Sequence, residues 1–352
     1  MTDRPELVDV MVVVGACGPE RHSYAQTVAL RAGRQMLDAH RVAADPDATL
    51  RAVEAAALQA GDPGLVLEMP LHAAMMDVIG EFADPTGDTQ LSEIICVVDA
   101  VHLLDDLHGE DYVVTAQQNR WDGRTGIERS TFMARAQLIV AQIEYASRVV
   151  LVNWGSVSRE RLQVLAALIG HLAPTAAIVL HEGPELTSAT VEGPYAQEQT
   201  RPGWVALLNG DFLPSLDHPA VSALRYEQPR AFHPARLKRL LDERVEKGVF
   251  GRLVRSNGFC RLSTRPHVTA HWEQVGEFIS LMPLSFDHQI SDPDEVLAFG
   301  QDLVFIGLDL DHEAFLRALD DAVLSDHELA AGPSLWSTFT DPFPGWTLSH
   351  DQ

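Results

Sequence analysis

The chain has 352 residues, enough for two domains, and its 46% apolar and 22% charged residues are the proportions of a water-soluble globular protein. A formal net charge of −24 argues against general affinity for nucleic acid. No apolar run reaches the ~18 residues of a membrane span, the N-terminal MTDRPELVDV has no signal-peptide pattern, and three scattered cysteines (Cys17, Cys96, Cys260) without C-x-x-C spacing suit a reducing cytoplasm and give no metal framework.

Residues 8–18, VDVMVVVGACG, read as a buried strand, Val10–Val14, ending at Gly15, with a second glycine at Gly18 and a helix from about Ser23. Strand, glycine turn and helix are the layout of a phosphate-binding loop. A working loop reads G-x-x-x-x-G-K-S/T, because the Lys ammonium meets the β- and γ-phosphates and the hydroxyl holds Mg²⁺. Here Glu20 stands at the second motif glycine, Arg21 at the Lys and His22 at the hydroxyl. The chain's two lysines, Lys238 and Lys247, are too distant to substitute, Pro19 offers no N–H, and Glu20 repels phosphate.

Further strands are expected at Leu65–Glu68, Ile94–Val98, Val149–Val152 and Ala177–Leu180, with helices at Ala48–Gln59, Leu71–Phe82, Thr131–Tyr145 and Arg159–His171. Short continuous β-branched strands alternating with helices predict a doubly wound, mostly parallel sheet, with ligands beyond the carboxyl ends of its strands. Gly15, Gly18, Arg21, Ser23, Glu68, Asp99 and Asn153 fall there and form the candidate, degenerate nucleotide site. Trp154 either plugs a vacant base pocket or stands exposed as a partner anchor. Cys17 lies near a helix N-terminus that favours a thiolate, against a plain role as buried spacer.

The expected first domain is 1–185, a Pro- and Gly-containing linker follows over 186–220, and the second domain, 221–352, is a small α+β unit. Its strands are expected at Ala223–Glu227, Gly258–Leu262, Glu277–Leu281 and Leu303–Gly307, and its helices at Pro234–Lys247 and Asp311–Leu324. Residues 225–265 carry 11 Arg/Lys against 4 Asp/Glu, a net of +7, whereas 285–352 carry 14 acids against one Arg, a net of −13. The basic segment is either a face that balances neighbouring acids or a contact surface for RNA or an acidic partner, with Arg236, Lys238, Arg239, Arg252 and Arg255 as the contacts. His267 and His271 have the i, i+4 spacing that on a helix would share a face, but no third ligand is evident and they read as surface or core histidines; His102, Asp105, Asp106, His108, Glu110 and Asp111 cluster in sequence and read as a solvated acidic loop, the alternative being a divalent-metal site near the candidate nucleotide site.

Six stretches of the second region resemble the CobW C-terminal domain in family order: RAFHPARL (Arg230–Leu237), VRSNGFCRLSTRP (Val254–Pro266), HWEQVGE (His271–Glu277), QDLVFIGLDLD (Gln301–Asp311), LDDAVLSDHE (Leu319–Glu328) and DPFPGW (Asp341–Trp346). More weakly, HLAPTA (His171–Ala176) and VVDA (Val97–Ala100) resemble signatures of the family's G domain. The resemblance implies a P-loop GTPase that acts as a metallochaperone in zinc homeostasis or cobalamin synthesis. Against that pattern the Walker lysine and Mg²⁺ hydroxyl are missing, residues 41–63 contain none of the thiolates of the metal-binding C-x-C-C, the ETSG stretch becomes Glu68-Met69-Pro70-Leu71, and the guanine-reading N-K-x-D becomes Asn153-Trp154-Gly155-Ser156. No catalytic residue, metal ligand or resident cofactor is therefore expected, with GTP or Zn the exceptions to be tested. The family setting of zinc limitation, and a Lys-poor composition of the kind found in high-GC actinobacteria, point to a pseudo-GTPase that binds a protein partner, such as the ribosome or a hibernation factor recruited to its small subunit. Alternatives are a GTP- or ATP-binding zinc or cobalt metallochaperone and a regulatory partner of an active CobW-family GTPase.

Overall fold

The computed structural model describes residues 7–44, 51–53, 64–84, 86–118, 129–183, 195, 201–286 and 300–346. The chain divides into two compact units, residues 1–203 with 214–216, and residues 204–213 with 217–352.

The first unit contains, in chain order, β1 (Val8–Val14), α1 (Gly18–Ala32), β2 (Gln35–Leu37), β3 (Leu65–Glu68), α2 (Met75–Phe82), β4 (Thr89–Asp99), β5 (Tyr112–Gln118), β6 (Arg129–Ala134), α3 (Arg135–Glu144), β7 (Arg148–Val152), α4 (Arg159–Leu172) and β8 (Ala177–Leu180). Six of the strands form one sheet in the order β2-β3-β1-β4-β7-β8, and every pair is parallel. Its central strands are buried on both faces, as their β-branched runs require. Tyr24, Ala25, Val28 and Ala29 of α1 pack on Val13, Val66, Ile95, Val97, Val150 and Val152. Because the strands are parallel, the residues that follow β1, β3, β4, β7 and β8 all reach the same edge of the sheet.

Gly15 is fixed by packing. Its φ is +144°, and a Cβ there would lie 2.2 Å from the carbonyl oxygen of Val97 on β4. Gly18 has no such constraint, since a Cβ would meet nothing within 4 Å.

Helix α1 begins at Gly18 rather than near Ser23, because Pro19 in its first turn supplies a preset helical φ. Residues 131–134, expected as the start of a helix, belong to β6, which pairs antiparallel with β5; the helix starts at Arg135. Most of the expected helix Ala48–Gln59 lies outside the described residues, as does most of 186–200.

The second unit holds β9 (Val221–Gln228), α5 (Pro234–Leu240), β10 (Arg252–Cys260), β11 (Val268–Val275), β12 (Phe278–Phe286), β13 (Gln301–Leu308), α6 (His312–Ala322) and α7 (Asp326–Ala331). The five strands form an antiparallel sheet in the order β12-β11-β10-β13-β9. Phe232, Trp272, Phe305 and Phe315 fill its core, with Phe305 and Phe315 edge to face at 4.8 Å. The expected helix Pro234–Lys247 loses its α geometry after Leu240, where residues Leu241–Val245 wind as a π turn. His267 and His271 are not on a helix: His271 is on strand β11, and its Nε2 is 2.9 Å from Asn257 Oδ1 on β10.

Candidate functional site

The parallel edge of the sheet brings together Gly15, Glu68, Asp99 and Asn153, one at the end of each of β1, β3, β4 and β7. Arg21 turns inward. Its Nε donates to Glu68 Oε1 at 2.9 Å and its Nη1 to the Gly15 carbonyl at 2.6 Å. The loop that would cradle phosphate with its N–H groups therefore presents a carbonyl to a guanidinium of its own chain. Glu68 is saturated: besides Arg21, its Oε2 takes His22 Nδ1 at 2.8 Å and the backbone N–H of Ala39 at 3.3 Å. His22 is held in turn by Gln26, 2.8 Å from its Nε2. Burial pushes the Glu68 carboxyl up, but its bonds to His22, Arg21 and Ala39 hold it below its ordinary value.

Asp99 is the second organising acid. It accepts from the Val101 N–H at 2.8 Å, from His102 Nδ1 at 2.9 Å and from Asn153 Nδ2 at 3.1 Å. Burial opposes its ionisation, and these three bonds overcome it and keep the carboxyl low. The same contact with Asp99 raises the His102 imidazole. Asn153 sits in the left-handed region at φ +55°, which Asn tolerates better than most residues, and its amide also points to Glu20 Oε1 at 3.5 Å. Cys17 is not a thiolate. Burial, with the charges of Glu20 and Asp99 adding to it, pushes its thiol up to about 12, and it donates to the Val97 carbonyl at 3.3 Å. The half-buried thiol is thus held away from the thiolate that its place near a helix N-terminus would favour.

Beside this network lies a cleft of about 840 Å³, bounded by Glu20, Ser23, Tyr24, Thr27, Asn153–Ser156 and His181–Gly183. Of the sequence-predicted residues, Ser23, Asn153 and Trp154 line it; Gly15, Gly18, Arg21, Glu68 and Asp99 do not. Trp154 is half-buried in a single 3-10 turn, and its Nε1 is buried without a hydrogen-bond partner among the described residues. The motif comparison missed Tyr24, Thr27, His181 and Glu182. The signals were there: Glu20, Ser23/Tyr24 and Thr27 share a helix face, and His181 and Glu182 follow β8 as Asn153 follows β7.

The residues present do not fit a Mg²⁺-nucleotide. The ammonium position is a buried guanidinium already paired, the hydroxyl position is an imidazole on Glu68, and Ser156 brings no charge to a base edge. No group of three His, Cys, Asp or Glu converges among the described residues in a way that would hold a metal ion. Asp106, from the acidic cluster after β4, is ion-paired with Arg135.

In the second unit the basic segment meets the acidic one. Arg225 pairs bidentately with Asp302 at 2.8 Å, Arg236 with Glu328 at 2.7 and 2.9 Å, Arg265 with Asp341 at 2.9 Å, and Arg230 with Asp326 at 2.5 Å. Lys238 pairs with Asp242, four residues on in the π turn that continues its helix. Arg255 is corrected as a surface contact: it is 4% exposed and bonded to Glu273 and the Gln274 carbonyl. Arg239 lines a small pocket with Arg236, Glu243 and Arg244, and Arg252 is exposed at the start of β10.

Comparison with known proteins agrees with the second unit. Residues 221–323 match the model of the cobalamin synthesis protein cobW C-terminal domain. A curated relative from Dictyostelium discoideum, "Zinc-regulated GTPase metalloprotein activator 1", is 25% identical over 292 residues, which cover 76% of this chain. The chain spans 59% of that relative's length. Among solved structures, Zn(II)-bound YjiA GTPase from E. coli is 14% identical, with 90% of this chain and 99% of that one covered at a TM-score of 0.33. A Zn(II)-bound triple mutant of YjiA gives 13% identity, 91% and 100% coverage and the same TM-score. Superpositions that loose carry no inference, and what the domain match shows is that residues 221–323 form a cobalamin synthesis protein cobW C-terminal domain.

Proposed function

We propose that this chain is a pseudo-GTPase of the CobW-like family that acts in zinc homeostasis by binding other proteins rather than by turning over nucleotide. The observation that carries the reading is the Arg21 guanidinium, bonded at once to the Gly15 carbonyl and to buried Glu68. Phosphate binding there would require breaking that pair and facing Glu20. The zinc setting is supported by the name of the Dictyostelium relative, a zinc-regulated GTPase metalloprotein activator. Within that setting we place recruitment of a ribosome hibernation factor to the small subunit as the partner reaction to test.

The deciding experiment is thermal unfolding of the full chain with and without millimolar GTP, ATP, Mg²⁺ and Zn²⁺. A ligand at a hundred times its Kd stabilises a fold by about 2.7 kcal/mol, a shift of several degrees. The expected result is no shift with GTP and Mg²⁺, and a clear shift would overturn the reading. Co-sedimentation with small ribosomal subunits from zinc-limited cells then tests the partner. A second reading, a protein that keeps a nucleotide without hydrolysing it, is favoured by the size of the cleft at Tyr24 and Trp154 and would show as a shift with GTP or ATP in the absence of Mg²⁺.

A further inference from the structure

We propose that the cleft between α1 and the turn after β7 binds an organic cation, a guanidinium or alkylammonium, held by the carboxylates of Glu20 and Glu182 against the ring of Trp154. This rests on the reading that the cleft no longer serves a nucleotide, and it names what the cleft serves instead.

The cleft's 840 Å³ is within the range of small-ligand sites, about 300–1,000 Å³. Its charge is inverted relative to a phosphate site. Glu20 occupies the position of a motif glycine, and among the described residues its side chain meets the Asn153 amide at a long 3.5 Å. Glu182 lies across the cleft against Gly155. Neither carboxylate meets a cationic side chain among the described residues. His181, the ionisable base in the lining, has its imidazole pushed down by burial and by the charge of Arg31. Asp99 lies behind Asn153, bonded to its amide, and adds a further carboxylate on that side. Two wall residues, Trp154 and His181, each carry a buried ring nitrogen without a hydrogen-bond partner among the described residues.

A negative cleft with an indole in its wall selects among cations. A metal ion needs several converging donors, and no such group forms among the described residues. An indole ligates no metal, but its face attracts guanidinium and ammonium groups, and more strongly when they are desolvated. Carboxylates accept bidentately from a guanidinium. Arginine, free or in a peptide, satisfies all three features.

The test is isothermal titration of the full chain with Nα-acetylarginine amide, its neutral isostere Nα-acetylcitrulline amide, and ethylguanidinium, each to about 10 mM. The arginine amide should bind saturably and the citrulline amide at least tenfold more weakly. Removing one carboxylate, Glu20→Gln or Glu182→Gln, should weaken binding about fivefold, the upper worth of a partly exposed ion pair. The double variant removes only two units from a net charge of −24, so general attraction barely changes. Glu313→Gln with Asp326→Asn, a pair in the other unit, is the matched control and should leave binding unchanged. Ethylguanidinium binding as tightly as the arginine amide assigns the site to small free cations, and markedly weaker binding assigns it to arginine in a peptide. Absence of saturable binding by either cation, or equal weakening by the control pair, overturns the proposal. Silence of GTP together with silence of both cations removes this proposal and leaves the pseudo-GTPase reading intact; GTP binding removes both.

Discussion

Replacement of Arg21 by Met tests whether the former phosphate loop is internally locked. The Arg21 side chain is 11% exposed and that of Glu68 3%, so the pair is effectively out of water. Removing one member of a buried pair costs about 3–5 kcal/mol, because the other charge is left uncompensated. Glu68 would retain His22 Nδ1 and the Ala39 N–H, which places Arg21→Met at the lower end, about 3 kcal/mol. For a unit of this size each kcal/mol moves the midpoint by about 2–4 °C, so the transition of the first unit should fall by about 6–12 °C. In Arg21→Met/Glu68→Leu no buried charge remains, and most of the loss should be recovered. Far-ultraviolet circular dichroism on heating and in urea gives the three stabilities, and the cycle gives the coupling. A loss under about 0.5 kcal/mol for Arg21→Met would show a solvated pair, leaving Arg21 available to a ligand and refuting the lock.

The two loop glycines should separate cleanly in the same assay. Gly15→Ala drives a Cβ into the Val97 carbonyl and should prevent folding of the first unit or cost several kcal/mol, whereas Gly18→Ala, with open space around it, should be neutral or stabilise slightly by reducing unfolded-chain entropy. Acid unfolding should depend on Glu328. Arg236 holds its carboxyl at about 2, with the Ser325 bonds adding to it, so its contribution is complete above the unfolded value of 4.5 and disappears as pH falls through about 2. Glu328→Gln should therefore destabilise the second unit at pH 7 and flatten its stability between pH 5 and 2, seen in urea midpoints across that range; an unchanged slope would remove Glu328 from the account. Cys17 should resist iodoacetamide at pH 8 in the folded chain and react on unfolding, since its thiol lies near 12; rapid native alkylation followed by mass spectrometry would show a thiolate.

The parallel sheet was legible because its strands are short β-branched runs that must be buried on both faces, and that pattern has few other solutions. The hairpin β5–β6 was not legible, because it is only two strands and its exposed Tyr112, Val114 and Phe132 lack the alternation that marks a half-buried strand. Strand β11 was not predicted either, and the spacing at its start gives no help. An i, i+4 histidine pair is meaningful only on a helix, and antiparallel neighbours on both sides, β10 and β12, override the spacing. At the site, the identities at 20–22 showed what had been lost, but not that Arg21 would fold back. That outcome depends on Glu68, 47 residues away in sequence and adjacent only because β3 is parallel to β1.

The charge polarity carries a similar lesson. A +7 segment and a −13 segment look in sequence like two surfaces waiting for partners. In the second unit Arg225, Arg230, Arg236 and Arg265 reach Asp302, Asp326, Glu328 and Asp341, four acids from the far end of the chain. Arg236 also donates to the Val323 carbonyl at 2.7 Å, so it closes the end of α6 and anchors the cap of α7 together. Its guanidinium is spent on tertiary structure before any partner arrives. A protein that neutralises phosphates releases counterions and binds with a slope of about −0.9 per contact against log salt on duplex nucleic acid. With these arginines committed and the net charge at −24, RNA binding by the second unit should be weak and its salt slope small. A slope of several units in filter binding would mean that the ion pairs open, and would return the basic segment to the surface of the molecule.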